Sequence, residues 1–112
     1  MTAITDEQMQ QMLTNTKAYS IVLLKPGPEV SETGIEKIIW EHGRRNLALR
    51  ADGLMPIVCP VTIEHGISGI CILNASPEES ARIMDGDPAV QAGIFEYEVL
   101  PCRSFPGDSL PV

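Results

Sequence analysis

Residues 69–102 read GICILNASPEESARIMDGDPAVQAGIFEYEVLPC, and the division of this stretch decides the fold. Ile67 to Asn74 is short, rich in β-branched residues and reads as a strand with Gly69 inside it. Ser76-Pro77-Glu78-Glu79 is the clearest helix start in the chain. Ser76 is the cap, Pro77 takes the first helical position, and Glu79 takes the third. The helix continues through Ala81, Ile83 and Met84. Asp87-Pro88 then restarts a short helical turn that stops at Gly93. From Ile94 to Cys102 the period changes to two. Phe95, Tyr97 and Val99 fall on one side, and Ile94, Glu96, Glu98 and Leu100 on the other. The stretch is therefore strand, helix, short helix, strand.

Upstream the same pattern recurs. Tyr19 to Lys25 (YSIVLLK) is a strand closed by the rigid Pro26-Gly27-Pro28 loop. Thr33 with Glu36 forms the better capping box for a helix that should run to about Asp52, with Gly53 at its C′ position. Leu54 to Val61 is a second strand, but Pro56 and Pro60 bar it from the centre of a sheet. Glu64-His65-Gly66 reads as a hairpin turn. Ahead of all this, Thr5 to Asn15 is a short amphipathic helix with a Thr5/Gln8 capping box, an Ile4–Met9 staple and an apolar stripe of Met9, Met12 and Leu13.

After that N-terminal helix the order is β-α-β-β-α-β, the split βαβ or ferredoxin-like arrangement. The fold class is α+β: a helical extension over residues 1–17, then a single domain over 18–112. Two helices cover one face of a four-stranded sheet. The aromatic side of the last strand belongs under the helices. In the first strand Tyr19, Ile21 and Leu23 oppose Val22 and Leu24, so both of its faces are apolar. A monomer would expose much of the second face, which is unusual. A homodimer packed through the sheet face is expected.

The chain has 112 residues, 44% of them hydrophobic, with one tryptophan, two tyrosines and two phenylalanines. Its core must come mainly from aliphatic side chains and methionine. The net charge of −7 repels phosphate backbones and anionic bilayers, so neither nucleic acid nor membrane is an expected partner. The longest apolar run, Leu54 to Val61, is too short to span a bilayer. The polar, acidic start of the chain is no signal peptide. Cys59, Cys71 and Cys102 cannot all pair and lack CxxC spacing. They read as buried free thiols in a reducing, cytoplasmic setting.

Few residues offer chemistry. Taking about 100° per residue, Ile35 and Leu49 lie within roughly 20° of His42, Ile38 within roughly 40° and Ile39 within roughly 60°. His42 is thus centred on the apolar face of its helix. It is either a core histidine satisfied by a backbone carbonyl, or a general acid or base lining a cavity. Trp40 and Leu47 sit on nearly the opposite face, where the N-terminal helix or an oligomer contact could cover them. Asp87 is a helix N-cap on local grounds, while Asp85 reads as plain surface charge. Glu96 and Glu98 would face the dimer interior, either as a substrate-binding or acid/base pair or as a polar, water-filled interface. Arg44, Arg45 and Arg50 form the one basic cluster. They are a solvated helix face or an anion site, with Arg45 the substrate-binding candidate. His65 should be exposed. Two distant histidines and three scattered cysteines make no metal site. No GxGxxG, P-loop or GxSxG occurs, so no cofactor is expected.

From His42 to Arg103 the chain resembles the YCII-related family, within the dimeric α+β barrel group of ferredoxin-like folds. The matching residues are His42, Gly53 eleven positions on, Pro60, Gly69, the acidic Glu78-Glu79, and Asp87-Pro88-Ala89-Val90-Gln91-Ala92-Gly93. Cys59 departs from the glycine expected before Pro60. The resemblance implies that His42 and Asp87 form an acid/base dyad in a cleft beside the sheet. By analogy it implies a cofactor-independent lyase or isomerase acting on a small polar or ring metabolite. The alternative is a non-catalytic small-molecule-binding or accessory domain in which the two residues only hold the fold.

Overall fold

The computed structural model describes residues Met1 to Val112. The elements are α1 (Asp6–Leu13), β1 (Lys17–Pro26), α2 (Glu36–Ala51), β2 (Ile57–Pro60), β3 (Gly69–Leu73), α3 (Pro77–Asp85), α4 (Pro88–Gln91) and β4 (Phe95–Ser104). β1 pairs antiparallel with β3 on one side and β4 on the other, and β2 pairs with the far edge of β3. The order is β2-β3-β1-β4. Each βαβ crossover therefore skips one strand, which is the ferredoxin-like α+β fold. The proline-bearing β2 lies at the edge, where a missing N–H costs no ladder bond.

One face of the sheet meets the helices. Val22, Leu24, Cys71 and Leu73 point inward and pack with Met55 and Met84, and Phe95, Tyr97 and Val99 close the cluster from β4. The expected phase of β4 holds from Phe95 to Leu100. Ile94 departs from it. It precedes the strand and is buried, not aligned with Glu96 on the open face. The reason is a backbone weld: Gly27 N–H donates to Ile94 O at 2.8 Å and Glu29 N–H to Gly93 O at 3.0 Å. A Cβ on Gly27 would stand 2.3 Å from Gly93 O, so only glycine allows this approach. The loop after β1 is thereby fixed to the turn between α4 and β4.

Caps explain most element ends. Thr5 and Gln8 form the reciprocal box at α1, and Ser76 Oγ accepts from Glu79 N–H at α3. At α2 the expected Thr33 cap is not used. Gly34 takes φ +83°, and the helix starts two residues later than that cap requires, with Ile35 at its N-cap and no side-chain bond. At the other end Asp52 is the C-cap and Gly53 follows with φ +76°, the left-handed conformation that suits glycine at C′.

Two surfaces stay uncovered. α1 buries none of its residues, and Trp40 and Leu47 are 69% and 60% exposed, so α1 does not cover that side of α2. On the sheet face opposite the helices, Ile57, Ile72, Ile21 and Leu100 align across all four strands, beside a second row of Cys59, Ile70, Leu23 and Glu98. No helix is long and apolar enough to cross a membrane.

Candidate active site

α2 has sixteen residues, and its one buried residue is His42. Helical periodicity centres His42 among Ile35, Ile38 and Leu49, and the sheet lies beneath that stripe. The ring sits 5.1 Å from the Phe95 ring, centroid to centroid, tilted by 47°. An imidazole in such surroundings needs a polar partner. It finds one in Asp87, 45 residues away in sequence.

Asp87 lies between α3 and α4 and has no exposed surface. Its two oxygens do different work. Oδ1 accepts the Ala89 N–H at 3.0 Å and caps α4, while Oδ2 pairs with His42 Nδ1. The cap and the contact with His42 are thus not alternatives, since one carboxylate makes both. A carboxylate oxygen at Nδ1 calls for the imidazole proton on that nitrogen, which makes Nε2 the acceptor. Asn46, one helical turn along α2, directs its Nδ2 at that Nε2 from 3.3 Å.

Arg45 ties the two helical parts together. Its Nη2 donates to Ile83 O at 2.6 Å, at the C-terminal turn of α3, where a cation also meets the negative end of the helix dipole. The guanidinium lies across Gly86, where a Cβ would meet Nη2 at 2.8 Å. This contact anchors the turn that carries Asp87 against the helix that carries His42.

Beside His42 opens a cleft of about 380 Å³ between α2 and the β2–β3 edge, within the usual size of small-molecule sites. Ile39, Leu47, Val58, Met84 and Phe95 line it, with His42, Asn46, Ser68 and Cys71 among its polar or ionisable members. Burial pushes the Cys71 thiol up to about 12, and the Asp87 charge adds to that effect.

The other site candidates fall elsewhere. Arg45 does not line the cleft, because its guanidinium is engaged at α3. Glu96 and Glu98 are on the open sheet face, opposite His42, where Glu98 pairs with Lys25 at 2.8 Å and about half exposed. Asp85 is not plain surface charge, because it accepts the Tyr97 hydroxyl at 2.6 Å. That bond, with burial and the Asp85 charge behind it, raises the Tyr97 hydroxyl to about 12. His65 is exposed, its Nδ1 accepting from Ile67 N–H within the turn. The three cysteines are unpaired, but only Cys71 is buried, and Cys59 is exposed on the edge strand. Asn46 belongs to no motif, and only its spacing of four from His42, which puts both on one helix face, marks it in the sequence.

No family model matches the chain, and no curated protein matches it. Among solved structures it is similar to the one titled "Crystal structure of methylated RPA0582 protein", at 14% identity and a TM-score of 0.37, over 95% of this chain and 96% of that one.

The cysteine environments predict a chemical contrast. With a thiol near 12 against the ordinary 9.0, Cys71 stays protonated at pH 8 and resists iodoacetamide in the folded protein, while exposed Cys59 is alkylated, as read by mass spectrometry. The unfolded thiol ionises first, so the Cys71 contribution to stability is complete below pH 9.0 and is lost as pH rises towards about 12. Equal alkylation of Cys71 and Cys59 in the native state contradicts the assigned burial.

Proposed function

We propose that this chain is a cofactor-independent acid/base catalyst, a lyase or isomerase related to the YCII-related family, working on a small molecule held in the His42 cleft. The observation that carries the reading is the fully buried Asp87 carboxylate paired with Nδ1 of a histidine that borders an apolar cleft. His42 Nε2 accepts a proton from the substrate, and the pair of electrons left behind is delocalised into an adjacent carbonyl. Asp87 holds the ring's orientation and stabilises the imidazolium. The same Nε2–H then returns the proton to a neighbouring atom or to a leaving group. Asp87 is a positioning residue here, since it touches His42 and not the cleft. The unpaired thiols fit a reducing, cytoplasmic setting.

A second reading is a non-catalytic binding or accessory domain. It is favoured by the Ala89 contact, which gives Asp87 a structural task independent of any chemistry.

Proton transfer is tested directly in deuterium oxide. A panel of enolisable ketones and lactones, followed by proton NMR, should lose C–H signal from at least one member in the presence of the wild-type chain. His42→Ala should slow that exchange by about 10²–10⁴-fold, the usual worth of a positioned general base. Exchange at the same rate in His42→Ala sinks the proposal, and no exchange with any member favours the binding domain.

The proposal includes a homodimer through the open sheet face. The aligned row of Ile57, Ile72, Ile21 and Leu100 is flat and apolar, and the Lys25–Glu98 pair beside it offers both signs of charge to a symmetry-related copy. Sedimentation equilibrium should return twice the chain mass for the wild type at micromolar concentration and a single mass for Ile21→Arg. A monomeric wild type contradicts it.

A further inference from the structure

Asn46 makes only one side-chain contact, and a poor one. Its Nδ2 donates to His42 Nε2 at 3.3 Å, longer than the usual range for such bonds. Its Oδ1 is buried and has no partner. Buried polar atoms are nearly always paired, so an amide held only by one long bond through Nδ2, with nothing fixing Oδ1, is free to re-pair its Nδ2 or to turn. Around it the wall is apolar: Ile39, Leu47, Val58, Met84 and Phe95. No lysine, arginine, aspartate or glutamate lines the cleft. A carboxylate or phosphate would enter without a counter-charge and would meet the field of Asp87 behind the imidazole.

We propose that the cleft takes an uncharged, mainly apolar molecule bearing a hydroxyl or enol, and that Asn46 reads that group. The inference rests on the acid/base reading of His42 and names the substrate class for it. A hydroxyl suits the two atoms in place. Its O–H donates to His42 Nε2 while its oxygen accepts from Asn46 Nδ2, and two good bonds replace one long one. With an enol, the O–H proton passes to Nε2, so the O–H bond breaks and the N–H bond forms; return of that proton to the α-carbon gives the carbonyl form, the reverse of the C–H abstraction proposed above. The resulting oxyanion then accepts from both Nε2–H and Nδ2–H. In the empty cleft Oδ1 has a use as well. The imidazolium needs an acceptor at Nε2, and a half-turn of the amide supplies one. The other ionisable groups around the ring are Asp87, from the α3–α4 turn, and the Cys71 thiol, from β3.

Phenol, toluene and benzoate probe this class at similar size. Each is titrated into the wild-type chain, Asn46→Leu and Asn46→Ser at pH 7, following amide and histidine-ring signals by NMR. Peak dispersion reports whether each variant is folded. For the wild type, phenol should bind about tenfold tighter than toluene or benzoate, or about 1.4 kcal/mol, with shifts centred on His42, Asn46 and Met84. In both variants phenol should fall to the level of toluene, with toluene unchanged. Benzoate binding as tightly as phenol overturns the proposal. So does an absence of phenol binding to the wild type, or a phenol preference that survives in either folded variant. His42-dependent proton exchange together with a surviving phenol preference leaves the acid/base reading intact and removes only the role of Asn46. A lost preference with no exchange assigns Asn46 to binding alone.

Discussion

Asp87 is a carboxylate with no exposed surface, and a buried carboxylate without partners costs several kcal/mol. The structure meets that demand with the His42 imidazole and the Ala89 N–H. Meeting it requires α2, the α3–α4 turn and the start of β4 to hold fixed positions. Arg45 fastens α3 to α2 through Ile83 O, and Gly27 fastens the loop after β1 to Gly93 and Ile94. The ferredoxin-like sheet supplies the floor on which these pieces converge. Removing the carboxylate would leave His42 Nδ1 without an acceptor and α4 without a cap.

The polar groups of the cleft are arranged asymmetrically. One side of the imidazole is held by a buried charge, while the other faces apolar walls and a weakly engaged amide. Here Nδ1 is strongly held and Nε2 is not. That asymmetry leaves one nitrogen able to exchange partners while the ring stays oriented, as the proposed proton transfer requires. Glu96 and Glu98 lie on the other side of the sheet from His42. Any contribution from them would have to come through a second chain on the open face.

The sequence made much of the scaffold legible, because local rules govern it. The Ser76 and Thr5 caps, the Gly53 terminus, the edge position of a proline-bearing strand and the phase of Phe95, Tyr97 and Val99 all follow from short-range chemistry. Thr33 failed as a cap because Gly34 offered a left-handed turn, and Ile94 left its strand phase because the backbone weld at Gly27 pulled it inward. The site was half legible. Helical periodicity placed His42 on the buried face, while Asn46, one turn away, belongs to no motif and went unremarked. No spacing rule could connect His42 to Asp87 across 45 positions, and only the resemblance to the YCII-related family suggested the pair. Arg45 read as a free cation because its partner, a backbone carbonyl, leaves no mark in sequence.

The central claim is that Asp87 fixes His42 as the Nδ1-protonated imidazole with Nε2 open to the cleft. Long-range nitrogen–proton correlation NMR on histidine-labelled protein above pH 8 reads the tautomer directly. The account predicts a proton on Nδ1 of His42, lost to Nε2 in Asp87→Ala. An Nε2-protonated ring in the wild-type chain, unchanged by that substitution, would contradict it.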